Sequence, residues 1–321
     1  MKQSNVERIL LATDFSDSAV LTHDYAKYLA LSLSASLDIL YVSESARASS
    51  GAELAAQQHV QTLLHTLHDR MREHGVRVTA RWVAGNPGAQ ILTAARQLDA
   101  DVIAMGMQGH TQVSYGLLGS TVEPVTRAGY CPVLTVPLPQ KEASSCGMTS
   151  TGTIGIRRIL APIDFSTPSL DSLEYAVKLA QDLAADLVLL HVLEPEHGGW
   201  NLTRMEEAER IRSSWEDRLR ELVEIIKSLT VSATYDIRGG QPSDSILAGA
   251  LQHKCDLIVI GTHGRQGRDR ANVGSVAEAV LKQTACPVLT VKNPKFPSDC
   301  RRIISGALSQ PNAGRTEQWF R

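Results

Sequence analysis

The chain has 321 residues, of which 43% are hydrophobic, so it is long enough to form two cores of ordinary domain size. Its 32 basic and 34 acidic residues give a formal net charge of −2 and are interspersed, without the basic stripe that would neutralise a row of nucleic-acid phosphates. The sequence also lacks a signal-peptide pattern and an apolar stretch long enough to span a bilayer. We therefore expect a cytoplasmic protein with neither nucleic acid nor a membrane as its partner.

Short apolar runs alternate with longer segments of helical period, and this alternation is typical of parallel strands joined by covering helices. In the first half we predict strands at Ile9–Thr13, Leu37–Val42, Val76–Val83, Val102–Gly106 and Val133–Val136, and helices at Ser18–Leu33, Glu53–Glu73, Ala89–Leu98 and Thr121–Arg127. In the second half we predict strands at Ile159–Ile163, Leu187–Val192, Val231–Ile237, Leu257–Gly261 and Val288–Val291, and helices at Ser169–Leu183, Arg204–Leu229, Ser243–His253 and Val276–Gln283. Strands this apolar need cover on both faces. The predicted fold is α/β, with two tandem doubly wound domains that each contain a five-stranded parallel sheet and helices on both faces.

A sequence repeat relates the two halves of the chain. The segment Arg8–Ser16 returns 150 residues later as Arg158–Ser166, and Cys131–Val136 returns 155 residues later as Cys286–Val291. Between the repeats lies a stretch rich in Pro, Ser, Thr and Gly without a hydrophobic period, which is typical of a linker. We predict a first domain at residues 1–137, a linker at 138–155, a second domain at 156–292 and a C-terminal extension at 293–321 that packs weakly or is disordered.

The sequence offers little support for a metal or disulfide framework. The five cysteines form no C-x-x-C pair and are spread over more than half of the chain. His65 and His68 lie three apart on a predicted helix, where a solvated polar face is the favoured interpretation. We therefore assign no metal ligand.

The fourth predicted strand of each half ends in a glycine motif. Gly106-Met-Gln-Gly109 is followed after nine residues by Gly119-Ser120, and Gly261-Thr-His-Gly264 is followed after nine residues by Gly274-Ser275. Glycines at a strand end let backbone N–H groups close around an anion. A Gly-Ser pair that opens a helix adds a hydroxyl and free amides. The motif predicts a phosphate-binding loop in each half, with a strand-to-helix turn that needs glycine for geometry alone as the alternative.

An aspartate ends the first predicted strand of each half. Asp14 and Asp164 therefore reach the crevice outside the carboxyl ends of the strands, where open α/β sheets bind ligands. There a carboxylate can accept hydrogen bonds from a ribose or from an adenine amino group. The alternative role is to cap the following helix, which Ser16 or Ser166 can do instead.

Gly-x-x-Gly, nine residues, then Gly-Ser resembles the ATP-binding signature of the universal stress protein family, and the resemblance covers Val6–Val136 and Arg157–Val291. It implies an adenine nucleotide alpha hydrolase-like, Rossmann-like fold with ATP and Mg as cofactors. In the first half it places around the nucleotide Asp14, Val42, Met105, Gly106, Gly109, Gly119, Ser120 and Thr121. In the second half the matching residues are Asp164, Val192, Ile260, Gly261, Gly264, Gly274, Ser275 and Val276. The second half is closer to the family pattern, because Arg265 and Arg270 in its loop add possible phosphate contacts.

The expected function is that of a nucleotide-dependent stress-response regulator, not of a high-turnover enzyme. The chain has no Gly-x-x-x-x-Gly-Lys-Ser/Thr loop, Gly-x-Gly-x-x-Gly, Gly-x-Ser-x-Gly or His-Glu-x-x-His motif, and we assign no catalytic residue. The alternatives are a slow ATPase or autophosphorylating protein that uses Ser120 or Ser275, and a nucleotide-free interaction module. The family resemblance further implies that Val133–Val136 and Val288–Val291 pair to form an intrachain pseudo-dimer, with a homodimer and an unknown protein partner as further possibilities.

Overall fold

The computed structural model describes residues 6–44, 51–109, 118–138, 154–194, 202–262, 273–292 and Ile304. In the first half the elements are β1 Arg8–Thr13, α1 Asp17–Leu33, β2 Ser36–Ser43, α2 Gly51–Glu73, β3 Arg77–Ala84, α3 Pro87–Leu98, β4 Val102–Gly106, α4 Val122–Ala128 and β5 Val133–Val136. In the second half they are β6 Arg158–Pro162, α5 Thr167–Leu183, β7 Asp186–Leu193, α6 Leu202–Ser228, β8 Ala233–Gly239, α7 Pro242–Gln252, β9 Leu257–Gly261, α8 Ser275–Gln283 and β10 Val288–Val291.

The described strands form one continuous ten-stranded sheet in the order β3-β2-β1-β4-β5-β10-β9-β6-β7-β8. Within each half all pairings are parallel. Parallel neighbours need crossover connections, which the helices supply. The α/β fold with two tandem doubly wound domains is therefore confirmed.

The two halves are joined by an antiparallel pair of their last strands. Leu289 of β10 stands opposite Leu134 of β5. The hydroxyl of Thr135 donates to the carbonyl of Val288, and that of Thr290 donates to the carbonyl of Val133, both at 3.2 Å. The expected pairing of these strands is thus present. It also removes two strand edges from solvent.

The core is arranged differently on the two faces of the sheet. One cluster of buried side chains runs through both halves on the face of α1 and α5, and includes Ile9 and Leu11 of β1. On the opposite face each half has its own cluster, and Leu10 of β1 belongs to the cluster of the first half. This alternation is the period of two of a strand that is buried on both sides. The shared cluster makes the two halves one packing unit on the α1/α5 face.

Two predicted regions fall mainly outside the described residues. The predicted linker is described only at its ends, and the C-terminal extension only at Ile304, which is 2% exposed and belongs to the shared cluster. Ile304 is thus packed, and the expectation for the rest of the extension stays a prediction. Within the described part of the chain, no helix is both long and apolar enough to cross a membrane.

Candidate functional site

Both halves bring residues of the predicted site to the carboxyl ends of their central strands. β1 lies between β2 and β4, so Asp14, just beyond β1, is next to Val42 of β2 and to the end of β4. β6 lies between β7 and β9 in the same way, which places Asp164 next to Val192. The crossovers run in opposite directions on either side of β1 and of β6, and open α/β sheets bind ligands at such points.

The two aspartates are oriented by the same turn. The backbone N–H and the hydroxyl of Ser16 donate to Oδ1 of Asp14 at 3.0 and 2.6 Å. Ser166 makes the same two bonds to Oδ1 of Asp164 at 2.9 and 2.5 Å. The N-caps of α1 and α5 are Ser16 and Ser166, so the alternative that the aspartates cap these helices is wrong. Oδ2 of Asp14 lies 3.0 Å from the place of a Cβ on Gly109, so this carboxylate faces the glycine loop.

Two serine hydroxyls of the first half tie the glycine loop to α1. Ser16 donates to the carbonyl of Gln108 at 3.2 Å. Ser18 donates to the same carbonyl and accepts from the N–H of Gln108 at 3.3 Å. Gly106 makes this approach possible, because a Cβ there would lie 2.5 Å from Oγ of Ser18 and 2.8 Å from the backbone nitrogen of Ala19. We call the two bonds between Ser18 and Gln108 the Ser18 tether.

The start of α5 differs from that of α1. Pro168 occupies the position of Ser18, and its fixed φ suits the first turn of α5. The hydroxyl of Ser166, the counterpart of Ser16, accepts from the backbone N–H of Ser169 at 3.4 Å, and so acts as a helix cap. The second half therefore has no hydroxyl at the position of Ser18, and His263, the counterpart of Gln108, lies outside the described residues.

Each glycine loop is closed at its base by one backbone hydrogen bond. The N–H of Gly119 donates to the carbonyl of Met107 at 3.2 Å, and that of Gly274 donates to the carbonyl of Thr262 at 2.6 Å. A Cβ on Gly119 would lie 3.1 Å from the same Met107 oxygen, so this return of the chain favours glycine. Each loop thus leaves the fourth strand and comes back to it at the start of the next helix.

The helix after the loop begins differently in the two halves. In the second half α8 begins at Ser275 with Gly274 as its N-cap. In the first half α4 begins at Val122 with Thr121 as its N-cap, so the prediction that Gly119-Ser120 opens the helix is wrong there by two residues. The N–H of Val122 donates to the carbonyl of Gly119 at 3.0 Å, and this turn occupies the place of a first helical turn. An anion would thus meet a helix N-terminus next to the loop base only in the second half, as far as the described residues extend.

An aromatic residue follows each aspartate in a left-handed backbone conformation. Phe15 has φ 62° and Phe165 has φ 61°, a region that bulky residues rarely occupy. Phe15 stacks on Tyr41 with ring centroids 6.0 Å apart. Phe165 stacks on Trp215 at 5.1 Å, with the Arg218 guanidinium 4.2 Å above its ring. The same turn therefore supports different aromatic clusters beside the two candidate sites.

A buried histidine lies next to each turn, but on a different element in each half. Nε2 of His23 on α1 is 2.8 Å from the hydroxyl of Thr13. Burial, and then the charge of Arg70, lower the pKa of His23 from 6.5 to about 4. In the second half, Nδ1 of His191 on β7 donates to the carbonyl of Ile163 at 2.7 Å. Both histidines hold the strand end that carries the aspartate.

The structure brings together the described members of the predicted site at the strand ends and loop bases. Met105 and Ile260 are buried in the core, so the contact that they offer a ligand is through the main chain. Gly264 lies outside the described residues, as do Arg265 and Arg270. The described residues contain no group of three or more His, Cys, Asp or Glu that could hold a metal ion.

Sequence reasoning missed the groups that hold the site in place. Neither the Ser18 tether nor the bond from Thr13 to His23 was predicted. One signal was available, since aligning the repeats sets Ser18 against Pro168 and Thr13 against Ile163. Such differences within a faithful repeat indicate where two copies have separate local contacts.

Comparison with known proteins decides which family has this architecture. The family model described as "Universal stress protein family" matches residues 5–137 and 155–292. The chain belongs to the universal stress protein family. Both matches lie on the two halves that pair through their last strands, so the chain carries two tandem universal stress protein domains.

Individual universal stress proteins are similar to one half or to the whole chain. One from Methanocaldococcus jannaschii is 32% identical over 146 residues, which cover 43% of this chain and 84% of the relative. One from Synechocystis sp. is 24% identical over 317 residues, which cover 89% of this chain and 100% of the relative. The crystal structure of a universal stress protein from Archaeoglobus fulgidus aligns with a TM-score of 0.66 at 21% identity, over 90% of this chain and 97% of that chain. This last likeness supports the fold of the tandem arrangement.

Proposed function

We propose that the protein binds ATP at the carboxyl ends of its strands and that the bound nucleotide regulates its contacts in a stress response. The observation that carries the proposal is the closed loop base next to an oriented aspartate. In each half a backbone bond from the third glycine of the motif returns the chain towards the fourth strand. Phosphates would bind next to this loop base and the base or ribose next to the aspartate, at one end of the sheet.

The first half contains a buried acceptor that fits such a ligand. Oε1 of Gln108 is buried and accepts no hydrogen bond from any described residue. Burying an acceptor without a donor costs roughly 1–3 kcal/mol. The protein itself covers this atom, so the donors of a ribose or an adenine amino group would satisfy it only with the side chain turned toward the crevice. The Ser18 tether holds Gln108 in place for this contact.

The second half supports phosphate binding more strongly. Its N-cap, Gly274, carries no side chain that would compete with an anion for the first amides of α8. α8 has 9 residues, whereas α4 of the first half has 7 and begins two residues later. Without a described cluster of acidic ligands, Mg²⁺ would be held chiefly by the phosphate oxygens. We therefore expect two unequal sites, the tighter one in the second half.

Calorimetric titration of the full chain with ATP tests this proposal. Asp164→Asn keeps an oxygen to accept the two bonds from Ser166 but removes the negative charge. We expect it to weaken the tighter site about tenfold to a hundredfold, the size of a lost hydrogen bond to a charged group. Asp14→Asn should weaken the other site in the same way. Asp244→Asn, an exposed change on α7, is the matched control.

Two results would contradict the proposal. The first is the absence of heat when ATP is added to the unmodified protein. The second is an equal loss of affinity in the Asp244→Asn control. Release of labelled ADP or transfer of label to the protein in the same mixtures would favour the alternative of a slow ATPase or autophosphorylating protein.

A further inference from the structure

α1 and α5 are equivalent helices of the repeat, yet their outer surfaces are buried to different extents. They lie on the same face of the sheet and contact each other. We call Glu174, Val177, Lys178, Gln181 and Asp182 the α5 stripe, and the residues 150 positions earlier, Asp24, Lys27, Tyr28, Leu31 and Ser32, the α1 stripe. Their spacing of 3, 4, 7 and 8 residues places each set on one helix face.

The α1 stripe is more exposed than the α5 stripe, although Tyr28 is half-buried and its hydroxyl donates to the carbonyl of Ile156. Leu31 is 46% exposed. Nζ of Lys27 pairs with Asp24 at 3.1 Å, and the two side chains are 25% and 42% exposed. Polar and charged residues predominate on this stripe, as on the solvent face of an ordinary amphipathic helix.

The α5 stripe is covered. Glu174 and Val177 are 6% and 4% exposed. The ion pair of Lys178 with Asp182, 2.9 Å long, has side-chain exposures of 14% and 11%. Val177 stands where the α1 stripe has Lys27, and a valine there suits a covered surface. Gln181 donates to the carbonyl of Leu229 at 2.7 Å, so the end of α6 covers only one end of this stripe.

The C-terminal segment is the part of the chain that fits this cover. Ile304 is 2% exposed and packs in the core cluster that contains Val177. β10 contacts α5, so the segment that follows β10 begins close to the α5 stripe. The twelve residues from Lys292 to Ile304 can span up to about 40 Å, which is enough to reach this stripe. The equivalent strand of the first half, β5, is followed instead by the predicted linker.

Charge also favours this segment. Arg301 and Arg302 directly precede Ile303 and Ile304, whereas the α5 stripe carries Glu174 and Asp182. Burying a carboxylate is costly unless a cation or hydrogen-bond donor accompanies it. Since Lys178 offsets one of the two carboxylates, the stripe carries one net negative charge, and a segment with two arginines is complementary to it.

We propose that the C-terminal segment, anchored by Ile304, docks on the α5 stripe as an intramolecular ligand. The segment gives the second half a cover that the first half lacks. It makes the tandem repeat asymmetric on its α1/α5 face, and it leaves the α1 stripe as the uncovered equivalent. This docking does not require nucleotide.

Hydrogen exchange of the full chain in nucleotide-free buffer tests the docking. Val177→Lys installs the residue that the α1 stripe tolerates at the same position. It should raise exchange in peptides that contain Ile304 and in those of α5 by about tenfold or more, the scale of one buried aliphatic contact. The reciprocal change Lys27→Val should leave the hydrogen exchange of the Ile304 peptides and of the α5 peptides unchanged. Ile304→Asp should raise exchange of α5 but not of α1.

Three outcomes would overturn the proposal. One is that peptides around Ile304 already exchange at the rate of unstructured chain in the unmodified protein. Another is that Val177→Lys leaves the protection of these peptides unaltered, or that Ile304→Asp raises exchange uniformly through both halves. The third is that protection of the α5 stripe falls on dilution, which would assign the cover to a second copy of the chain.

Discussion

The two glycine loops begin and end at equivalent places, but they are held by different groups. In the first half Ser18 bonds to Gln108, so α1 and the loop move together. In the second half Pro168 replaces Ser18, and the neighbouring serine caps α5. The comparison teaches that a duplicated site can keep its backbone path while one copy gains a tether and the other a longer helix N-terminus. We expect the first site to be more rigid and the second to bind phosphate more strongly.

The largest effect that we predict concerns the buried histidine of the first half. The pKa of His23 is lowered to about 4, whereas in the unfolded chain it is near 6.5. Since the unfolded state binds the proton first, the free energy of unfolding falls as the pH drops from about 6.5 to about 4, by about 3 kcal/mol. Ile and Leu are the residues of the second half at the positions of Thr13 and His23. Replacing Thr13 and His23 by them should remove this contribution to the slope of the free energy of unfolding against pH.

Urea unfolding at a series of pH values between these limits measures the slope. His59→Gln, an exposed change on α2, is the control and should leave it unaltered. Equal slopes for the Thr13/His23 double variant and the unmodified protein would show that His23 titrates normally. The single change His23→Leu should remove the same pH dependence, and it keeps the bond from the backbone N–H of Phe15 to the Thr13 hydroxyl at 3.0 Å.

The second prediction concerns the contact between Gly106 and the start of α1. Gly106→Ala places a Cβ 2.8 Å from the backbone nitrogen of Ala19, which cannot move without shifting the helix. The free energy of unfolding should fall by about 1–3 kcal/mol, as is usual for overpacking. Gly51→Ala is the control, because nothing lies within 4 Å of its added methyl group. Equal stability of the two variants would mean that α1 does not approach the strand end this closely.

The smallest effect that we predict sharpens the comparison of the loops. Ser18→Ala removes the tether but keeps the helix, and the amide of Gln108 should exchange about five to ten times faster, the size of one ordinary hydrogen bond. Thr22→Ala, which removes a bond within α1, should not change exchange in the loop. If both variants exchange alike, the difference between the loops has another origin.

Much of the fold could be predicted because its signals are local and occur twice. The apolar runs of the strands, the 150-residue repeat and the glycine spacing are all visible along the chain. The strand order was not predicted, apart from the pairing of the two last strands that the family resemblance implies. The predicted bounds of β4, β5, β9 and β10 are identical to those of the structure.

The features that could not be predicted depend on contacts between distant residues. The Ser18 tether joins residues 90 positions apart, and only the fold brings them together. The two buried histidines lie on a helix in one half and on a strand in the other, so the repeat does not align them. Ile304 is buried in the shared cluster, among residues that lie far from it along the chain. A segment with one short apolar patch gives no local sign of such a contact.

The antiparallel joint between β5 and β10 determines which way each site opens. Since β4 runs parallel to β5 and β9 runs parallel to β10, the carboxyl ends of the two sets of strands point to opposite rims of the sheet. A macromolecule bound at one rim would therefore lie next to only one of the two loop bases. The two rims could therefore bind two different partner molecules.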